Sequence, residues 1–396
     1  MAQIPESKHT TAHAIVQWYE RKPQEHRPHM GASIIGHHCA RNVWLTWRWA
    51  RKPEFEGRVL RLFDTGKREE PRILEELRGI GAEVWDTDPA TGNQWTVSAH
   101  NGHFGGSLDG VAKGLPEAPK TAAVLEFKTH SSKSFADLVK NKVEASKPQH
   151  YAQMQVYMGL MELTRALYIA VNKDSDDLYT EWVEFNKEAF DSLMVRASML
   201  LESPVPPQRI SDDPSHWQCK WCSFWAHCHN NQAAEANCRT CSHSTPVANS
   251  EWRCEFHQGN PPLDAQRKGC GDHLMIPALV PYGEPVDGGE GWVAYRHRET
   301  GALFTNGAES VKDYGPVFTS KELHNCPGQL IGDVAKFKDD FPGTKVVPQS
   351  TVSNLMDWDS IATDPDDIPV KSEPVSKREE KRKIKEAIQA LEATRK

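Results

Sequence analysis

The sequence predicts an α/β fold in which a mixed sheet is covered by helices, and three observations carry that expectation. Ala123, Val124, Leu125 and Phe127 form an apolar run of strand length with no helical period. Two further apolar stretches, 166–171 and 178–185, are joined by a polar turn over 172–177, as two paired strands would be. Around them lie segments with apolar residues at helical spacing, 63–77, 146–164 and 187–201. Helices, a meander, a helix, two strands and a helix is the order of a mixed sheet with helices packed on it.

Each element has its own signal. Residues 1–30 are a polar N-terminal extension. The spacing of Ile35, Val43, Trp44 and Trp47 predicts one helix over 33–49, with Ser33 as N-cap and with Cys39 and Arg41 on it. A second helix over 63–77 turns Leu62, Ile73, Leu74 and Leu77 to a core and carries Glu69, Glu70, Glu75 and Glu76. Pro71 predicts an early turn or a kink there. A meander through Glu83, 95–99 and 105–113 leads to the strand 121–129, with an Asp109-Gly110 pair that bends the chain. Side chains alternate along a strand, so Glu126 and Lys128 share a face while Leu125 and Phe127 enter the core. On the helix 146–164, Gln153 and Tyr157 are four apart and share a face. The helix 187–201 is amphipathic through Phe190, Leu193, Met194, Ala197 and Leu201, and the Pro- and Asp-rich run 202–214 is a boundary. A hairpin is expected over 291–306 and helices over 320–324 and 328–341. An acidic linker follows, then a basic tail with Ile384, Ile388 and Leu391 on one stripe.

The resulting organisation is an extension 1–30, an α/β domain 31–230 with a cysteine cluster, a cysteine-rich ribbon-like module 235–275, a small α+β annex 276–348, an acidic linker 349–375 and a basic helical tail 376–396. The chain has 396 residues, a net charge of −7, 26% charged and 38% hydrophobic residues, which suits a globular protein. No apolar run is long enough to span a bilayer and the first residues lack an apolar signal core, so a cytoplasmic, intracellular protein with no membrane partner is expected. An acidic total does not advertise a nucleic-acid binder, yet Lys133, Lys140 and Lys142 make a local basic surplus.

Nine cysteines without a secretory signal point to metal rather than to disulfides. Cys219, Cys222 and Cys228 form C-x2-C-x5-C. Cys238 and Cys241 form C-x2-C with Cys254 and Cys270 beyond, the pattern of a zinc-ribbon-like site in which His257 or His273 could replace a cysteine. Cys39 and Cys326 stand apart, Cys326 as an ordinary thiol. Asp109, Glu126 and Lys128 offer a further chemistry. A hard cation such as Mg²⁺ takes one or two carboxylates and keeps sites for water and phosphate oxygens, while an adjacent ammonium orients that water. Taken singly, Asp-Gly is more often a turn and Glu-x-Lys more often a solvated strand face.

In their order along the chain these residues resemble the PD-(D/E)XK nuclease superfamily, in its RecB-like and lambda-exonuclease-like branch, over about Gly31 to Cys228. The motifs are a helical acid in G-x-x-x-E-P (Gly66 to Pro71), an Asp after a glycine-rich strand, E-x-K, and a helix with Q-x-x-x-Y. The resemblance implies a restriction-endonuclease-like mixed sheet flanked by helices. It implies a Mg²⁺- or Mn²⁺-dependent deoxyribonuclease, an exonuclease of DNA recombination, repair or replication, with phage-encoded enzymes among its kin. Glu70, Asp109 and Glu126 would hold the metal, and Lys128 would position the attacking water. Gln153 and Tyr157 would contact the DNA backbone or brace the site, with Gln155 and His150 as supplementary contacts. Many RecB-like members have a histidine in place of Glu70, so the ligand set departs from theirs. Iron-sulfur members use one cysteine before the core and C-x2-C-x5-C after it, which matches Cys39 with Cys219, Cys222 and Cys228. That set suits a 4Fe-4S cluster or zinc, the other reading being a buried Cys39 thiol with His227 or His229 completing a zinc site. The basic tail could dock a recombination or replication protein. The alternative to an enzyme is a non-catalytic DNA-binding or scaffolding protein that retains the fold.

Overall fold

The computed structural model describes residues 10–308 and 313–348. The chain begins with α1 (Thr11–Glu20), β1 (Met30–Gly31), α2 (Ala32–Ile35), α3 (Ala40–Trp47) and α4 (Gly57–Gly79). Four short strands follow, β2 (Glu83–Trp85), β3 (Thr96–Ala99), β4 (Phe104–Ser107) and β5 (Gly110–Lys113), and then β6 (Ala123–His130). Helices α5 (Ser132–Ser146) and α6 (Pro148–Met161), strands β7 (Arg165–Asn172) and β8 (Leu178–Glu184), and α7 (Lys187–Glu202) complete the first part. The central sheet has the order β2-β5-β6-β7-β8, antiparallel except where β6 runs parallel to β7. A mixed α/β architecture is what the strand and helix signals predict.

Helix α4 covers one face of the sheet. Its Ile73, Leu74 and Leu77 pack with Leu125, Phe127, Leu167 and Ile169. Helices α5, α6 and α7 supply the other face, with Leu138, Met154, Val156, Met158, Ala197 and Leu200 in one core with Val124 and Tyr168. Pro71 lies inside α4 and the helix runs through it. An interior proline costs roughly 3 kcal/mol. Burying Ile73, Leu74 and Leu77 is worth roughly 1.5–3 kcal/mol each, so packing wins and the expected turn at Pro71 does not form.

The meander divides between two sheets. Strands β3 and β4 pair with each other and with β1, while β5 returns to the central sheet. Asp109 therefore sits at the joint where the chain leaves one sheet for the other. The helix expected over 33–49 is two helices separated at Gly36–Cys39, capped by Gly31 and Cys39 rather than by Ser33. Gly36 packs so closely on α6 that a Cβ there would stand 2.6 Å from the Ala152 Cβ. Helix α5 fills the 132–146 stretch, where no helix is expected from the sequence, and its backbone is broken at Lys142, whose φ is 64°.

Beyond 202 come α8 (Trp225–His229), a hairpin of β9 (Ser244–Pro246) and β10 (Trp252–Cys254), and α9 (Leu263–Lys268). Then β11 (Gly283–Gly289), β12 (Trp292–His297), β13 (Leu303–Gly307) and β14 (Val317–Phe318) form a four-stranded sheet ahead of α10 (Ser320–Asn325) and α11 (Ile331–Asp340). Trp252, Met275, Tyr282, Tyr295, Phe304 and Phe318 join the same continuous core as Trp47 and Phe104. The divisions expected at 230 and 276 are thus not breaks in packing, and all of this belongs to one unit ending at Val346. The acidic linker 349–375 and the basic tail 376–396 lie outside the described residues. Among the described residues no helix is long and apolar enough to cross a membrane.

Candidate metal centre and its cavity

Three elements bring the predicted acids together. Strand β6 carries Glu126 and Lys128 on one face, and its neighbour β7 places Tyr168 opposite Glu126. The Lys128 ammonium donates to the Glu126 carboxylate and, at 3.1 Å, to the Phe127 carbonyl. Asp109, at the β4–β5 joint, accepts a 2.7 Å hydrogen bond from the Phe127 N–H through Oδ2, which ties the joint to the middle of β6. Glu70 comes from α4, one turn before the residues that bury that helix on the sheet.

The electrostatics are those of a site short of positive charge. Glu126 is wholly buried, and burial pushes its carboxyl up to about 7, with Asp109 and Glu70 adding to the rise and Lys128 opposing it. Asp109 is raised, chiefly by burial, and Glu70 is raised by burial and then by Asp109. Burial works against the Lys128 cation, but Glu126, Asp109 and Glu70 more than offset it and hold its pKa above the usual lysine value. The second Glu126 oxygen, Oε2, is enclosed and has no hydrogen-bond partner. Three carboxylates on one lysine, one with an orphaned buried oxygen, fit a hard divalent cation, which takes oxygen ligands and relieves their mutual repulsion.

The centre opens on a cavity of about 850 Å³ lined by Glu70, Asp109, Lys128, His150, Gln153 and Tyr157, among others. Gln153 and Tyr157 are buried. The Gln153 amide donates to the Tyr157 hydroxyl at 3.1 Å, and that hydroxyl donates to the Ser107 carbonyl at 2.9 Å, two residues before Asp109. Gly106 permits this, since a Cβ there would lie 2.6 Å from the Tyr157 oxygen. Gln155, expected as a supplementary contact, points away: its amide bonds the Glu184 carbonyl and the Asn186 N–H, joining α6 to the end of β8. His150 lines the cavity, and its Nδ1 and the Nε2 of His130 both bond the Tyr168 hydroxyl at 2.9 Å. Burial drives His150 down to about 3 and His130 to about 4, so both rings are neutral. Sequence reasoning missed this relay and the cavity cations Arg27 and Lys67. Lys67 had a signal, one turn before Glu70 on α4; Arg27, in the extension, had none.

Cys39, Cys219, Cys222 and Cys228 line one small cavity, although Cys39 is 180 to 189 residues from the other three in sequence. Burial raises the Cys219 and Cys228 thiols, with the neighbouring sulfurs adding, while Arg41 and Arg209 favour thiolate and Asn42 donates to the Cys222 sulfur at 3.3 Å. His227 is engaged elsewhere, through Nδ1 with the Gln232 carbonyl and through Nε2 beside Arg41. His229 lines the cavity with an enclosed, unpartnered Nε2.

In the second set, burial pushes Cys238 up to about 12 and Cys241 to about 11, with sulfurs of the same set adding to each. The His257 N–H donates to the Cys254 sulfur at 3.4 Å. His257, Cys270 and Asp272 bring three possible ligand atoms within 4.8 Å of one another. His273 is instead a buried brace, its Nε2 on the Asn237 carbonyl and the Thr240 hydroxyl. Cys326 is buried beside its own helix end, as an ordinary thiol would be.

No family model matches the chain, and no curated protein matches it either. Among solved structures it is similar to an alkaline exonuclease from Laribacter hongkongensis, at 14% identity over 47% of this chain and 90% of that one, with a TM-score of 0.34. It is also similar to a phage-related exonuclease from Haemophilus somnus 129PT, at 17% identity over 35% of this chain and 68% of that one, with a TM-score of 0.25. Likeness at that level settles neither fold nor activity, so the functional case rests on the geometry of the centre.

Proposed function

We propose that this protein is a metal-dependent deoxyribonuclease of the PD-(D/E)XK kind, an exonuclease that hydrolyses phosphodiester bonds during DNA recombination, repair or replication. The observation that carries the reading is the meeting of Glu70, Asp109, Glu126 and Lys128 from three separate elements around an orphaned carboxylate oxygen. Glu70, Asp109 and Glu126 would hold Mg²⁺ or Mn²⁺. That ion supplies charge neutralisation at the phosphoryl group and lowers the pKa of bound water. Lys128, kept cationic by its three acids, orients the attacking water and stabilises charge that develops on phosphate oxygens. Tyr157 and Gln153 hold the Ser107–Asp109 joint so that Asp109 stays in register with β6. The neutral His150 offers a donor or acceptor to a substrate phosphate rather than a charge.

For the cysteines the reading is a 4Fe-4S cluster on Cys39, Cys219, Cys222 and Cys228, with zinc and a contribution from His229 as the alternative. A structural zinc on Cys238, Cys241, Cys254 and Cys270, with His257 at hand, orders the ribbon. DNA is the substrate, and a recombination or replication protein is the partner assigned to the basic tail. Incubation of end-labelled single- and double-stranded DNA with Mg²⁺ tests the whole. Release of nucleotides from one end supports the exonuclease, and intact DNA under all conditions favours the non-catalytic scaffold.

A further inference from the structure

We infer that a groove beside the metal centre holds unpaired DNA bases, stacked on Phe55 and Phe63, so that the strand to be cut enters the centre single-stranded; this rests on the nuclease reading and names its substrate. The groove has a volume of about 820 Å³ and shares Arg27, Lys67, Glu70 and Lys128 with the catalytic cavity. Phe63 lies seven residues before Glu70 on α4, on the same helix face and roughly 10 Å up the axis. Phe55 meets it edge-on with ring centroids 5.2 Å apart.

Both rings are unusually exposed for phenylalanine, 45% and 48%. Neither is loose. Gln24 clamps Phe55 through both backbone groups, its amide donating to the Phe55 carbonyl at 3.2 Å and its oxygen accepting from the Phe55 N–H at 2.7 Å. Next to Phe63, Asp64 accepts a 3.0 Å hydrogen bond from Tyr19 of α1. Exposed rings on a held backbone have only two side-chain torsions each to order on binding.

Charge selects the occupant. Arg27, Arg51, Lys52 and Lys67 line the groove, are exposed, and form no ion pair among the described residues. Of the lining carboxylates besides Glu70, Glu25 pairs with Arg267 at 2.7 Å, Glu69 shares Arg72 at 3.3 Å with Glu76 and Asp176, and Glu54 forms no ion pair among the described residues. Four cations without a carboxylate partner, of which Arg27 donates to the Ser33 hydroxyl at 3.4 Å and Arg51 to the Ser223 carbonyl at 2.5 Å, lie around an aromatic floor and suit a polyanion with π-faces, which is the design of single-strand binding sites. Gly66 lines the groove between Phe63 and Glu70, and a Cβ added there meets only Thr129 Oγ1, at 3.8 Å, so the position accepts a side chain on the groove wall.

The test is binding of a fluorescent oligo-dT strand to the full-length protein in EDTA, read by anisotropy, for wild type, Phe55→Ala/Phe63→Ala, Phe55→Trp/Phe63→Trp and Gly66→Leu. The alanine pair and the groove-filling leucine should each weaken binding about fivefold or more, and the tryptophan pair should restore it. Wild-type affinity in both weakened variants, as an apolar peptide occupant would give, overturns the inference, as does wild type that binds no single strand. Cleavage with Mg²⁺ is scored separately. Protein that binds through the groove but cuts nothing removes the nuclease reading and supports the groove. Protein that cuts while the variants bind normally removes the groove alone.

Discussion

Replacing Glu126 with glutamine should stabilise the metal-free protein at high pH while removing its response to metal. The Glu126 carboxyl, ordinarily near 4.5, is held at about 7 by burial beside Asp109 and Glu70. Between those values the folded chain keeps a proton that the unfolded chain has released. Stability therefore falls as pH rises through the window, and above 7 the full penalty is present. At 1.36 kcal/mol per unit the shift amounts to about 3 kcal/mol, of which about 2 to 3 kcal/mol should appear between pH 5 and 8.5. Glutamine keeps the shape and an acceptor for Lys128 but cannot ionise, so that slope disappears. Urea unfolding in EDTA across this range reads the difference directly. Millimolar Mg²⁺ should then raise wild-type stability and leave Glu126→Gln unmoved, since ligand binding to the folded state alone stabilises by mass action. Parallel pH curves for the two proteins, or an equal Mg²⁺ response, would refute a buried, metal-seeking carboxylate.

The remaining outcomes separate chemistry from scaffolding. Lys128→Ala and Asp109→Ala should both abolish Mg²⁺-dependent DNA degradation, and undiminished activity in both would sink the assignment. Asp109→Ala should also lose roughly 1–3 kcal/mol in urea unfolding, because the buried Phe127 N–H is left without its acceptor. Tyr157→Phe should cost about 1 kcal/mol and lower kcat with KM little changed, as befits a brace on the Ser107–Asp109 joint; a raised KM alone would make it a DNA contact instead. Anaerobically purified protein should contain iron and absorb visible light, and Cys39→Ser should lose both; colourless, active protein carrying only zinc would defeat the cluster.

What could be read from the sequence is what depends on local period and on residue order. The Val124–Phe127 run, the Glu126/Lys128 face and the Gln153/Tyr157 pair are each set within a few residues, and β6 and α6 appear where periodicity puts them. The helix over 33–49 failed because its break is tertiary: Gly36 is spent on the close approach of α6, which no pattern within the segment reveals. At Pro71 the early turn, one of the two outcomes a proline predicts, does not form, because packing carries the helix through it. The groove was invisible because Phe55 reads as one aromatic in a coil and Phe63 as the start of a helix. Gln24 bonds the Phe55 backbone and Tyr19 bonds Asp64 beside Phe63, both from the N-terminal extension 1–30 and far from the two rings in sequence.

The cysteine-rich segment shares its packing with the α/β part, and Arg239 shows how. Arg239 lies between Cys238 and Thr240, ahead of Cys241. In the fold it is wholly buried, stacked 3.7 Å from the Trp49 ring centroid, with Nη2 donating to the Pro28 carbonyl at 2.8 Å and Nη1 to the Trp47 carbonyl at 3.4 Å. Burial lowers its pKa to about 9, yet it remains a cation near neutral pH, held by carbonyls and aromatic faces rather than by a carboxylate. Arg48 packs beside it on Trp47 and Trp252 and donates to the Arg239 carbonyl. Two desolvated guanidinium groups are tolerable only if Trp47, Trp49 and Trp252 are fixed around them. Trp252 itself is fixed by the β9–β10 hairpin of the ribbon. A zinc ion on the ribbon's cysteines, as proposed, would therefore act at a distance on the segment 25–55, the wall of the groove, and its removal by a chelator should weaken oligo-dT binding before it lowers the urea stability that the proposed Glu126 site confers.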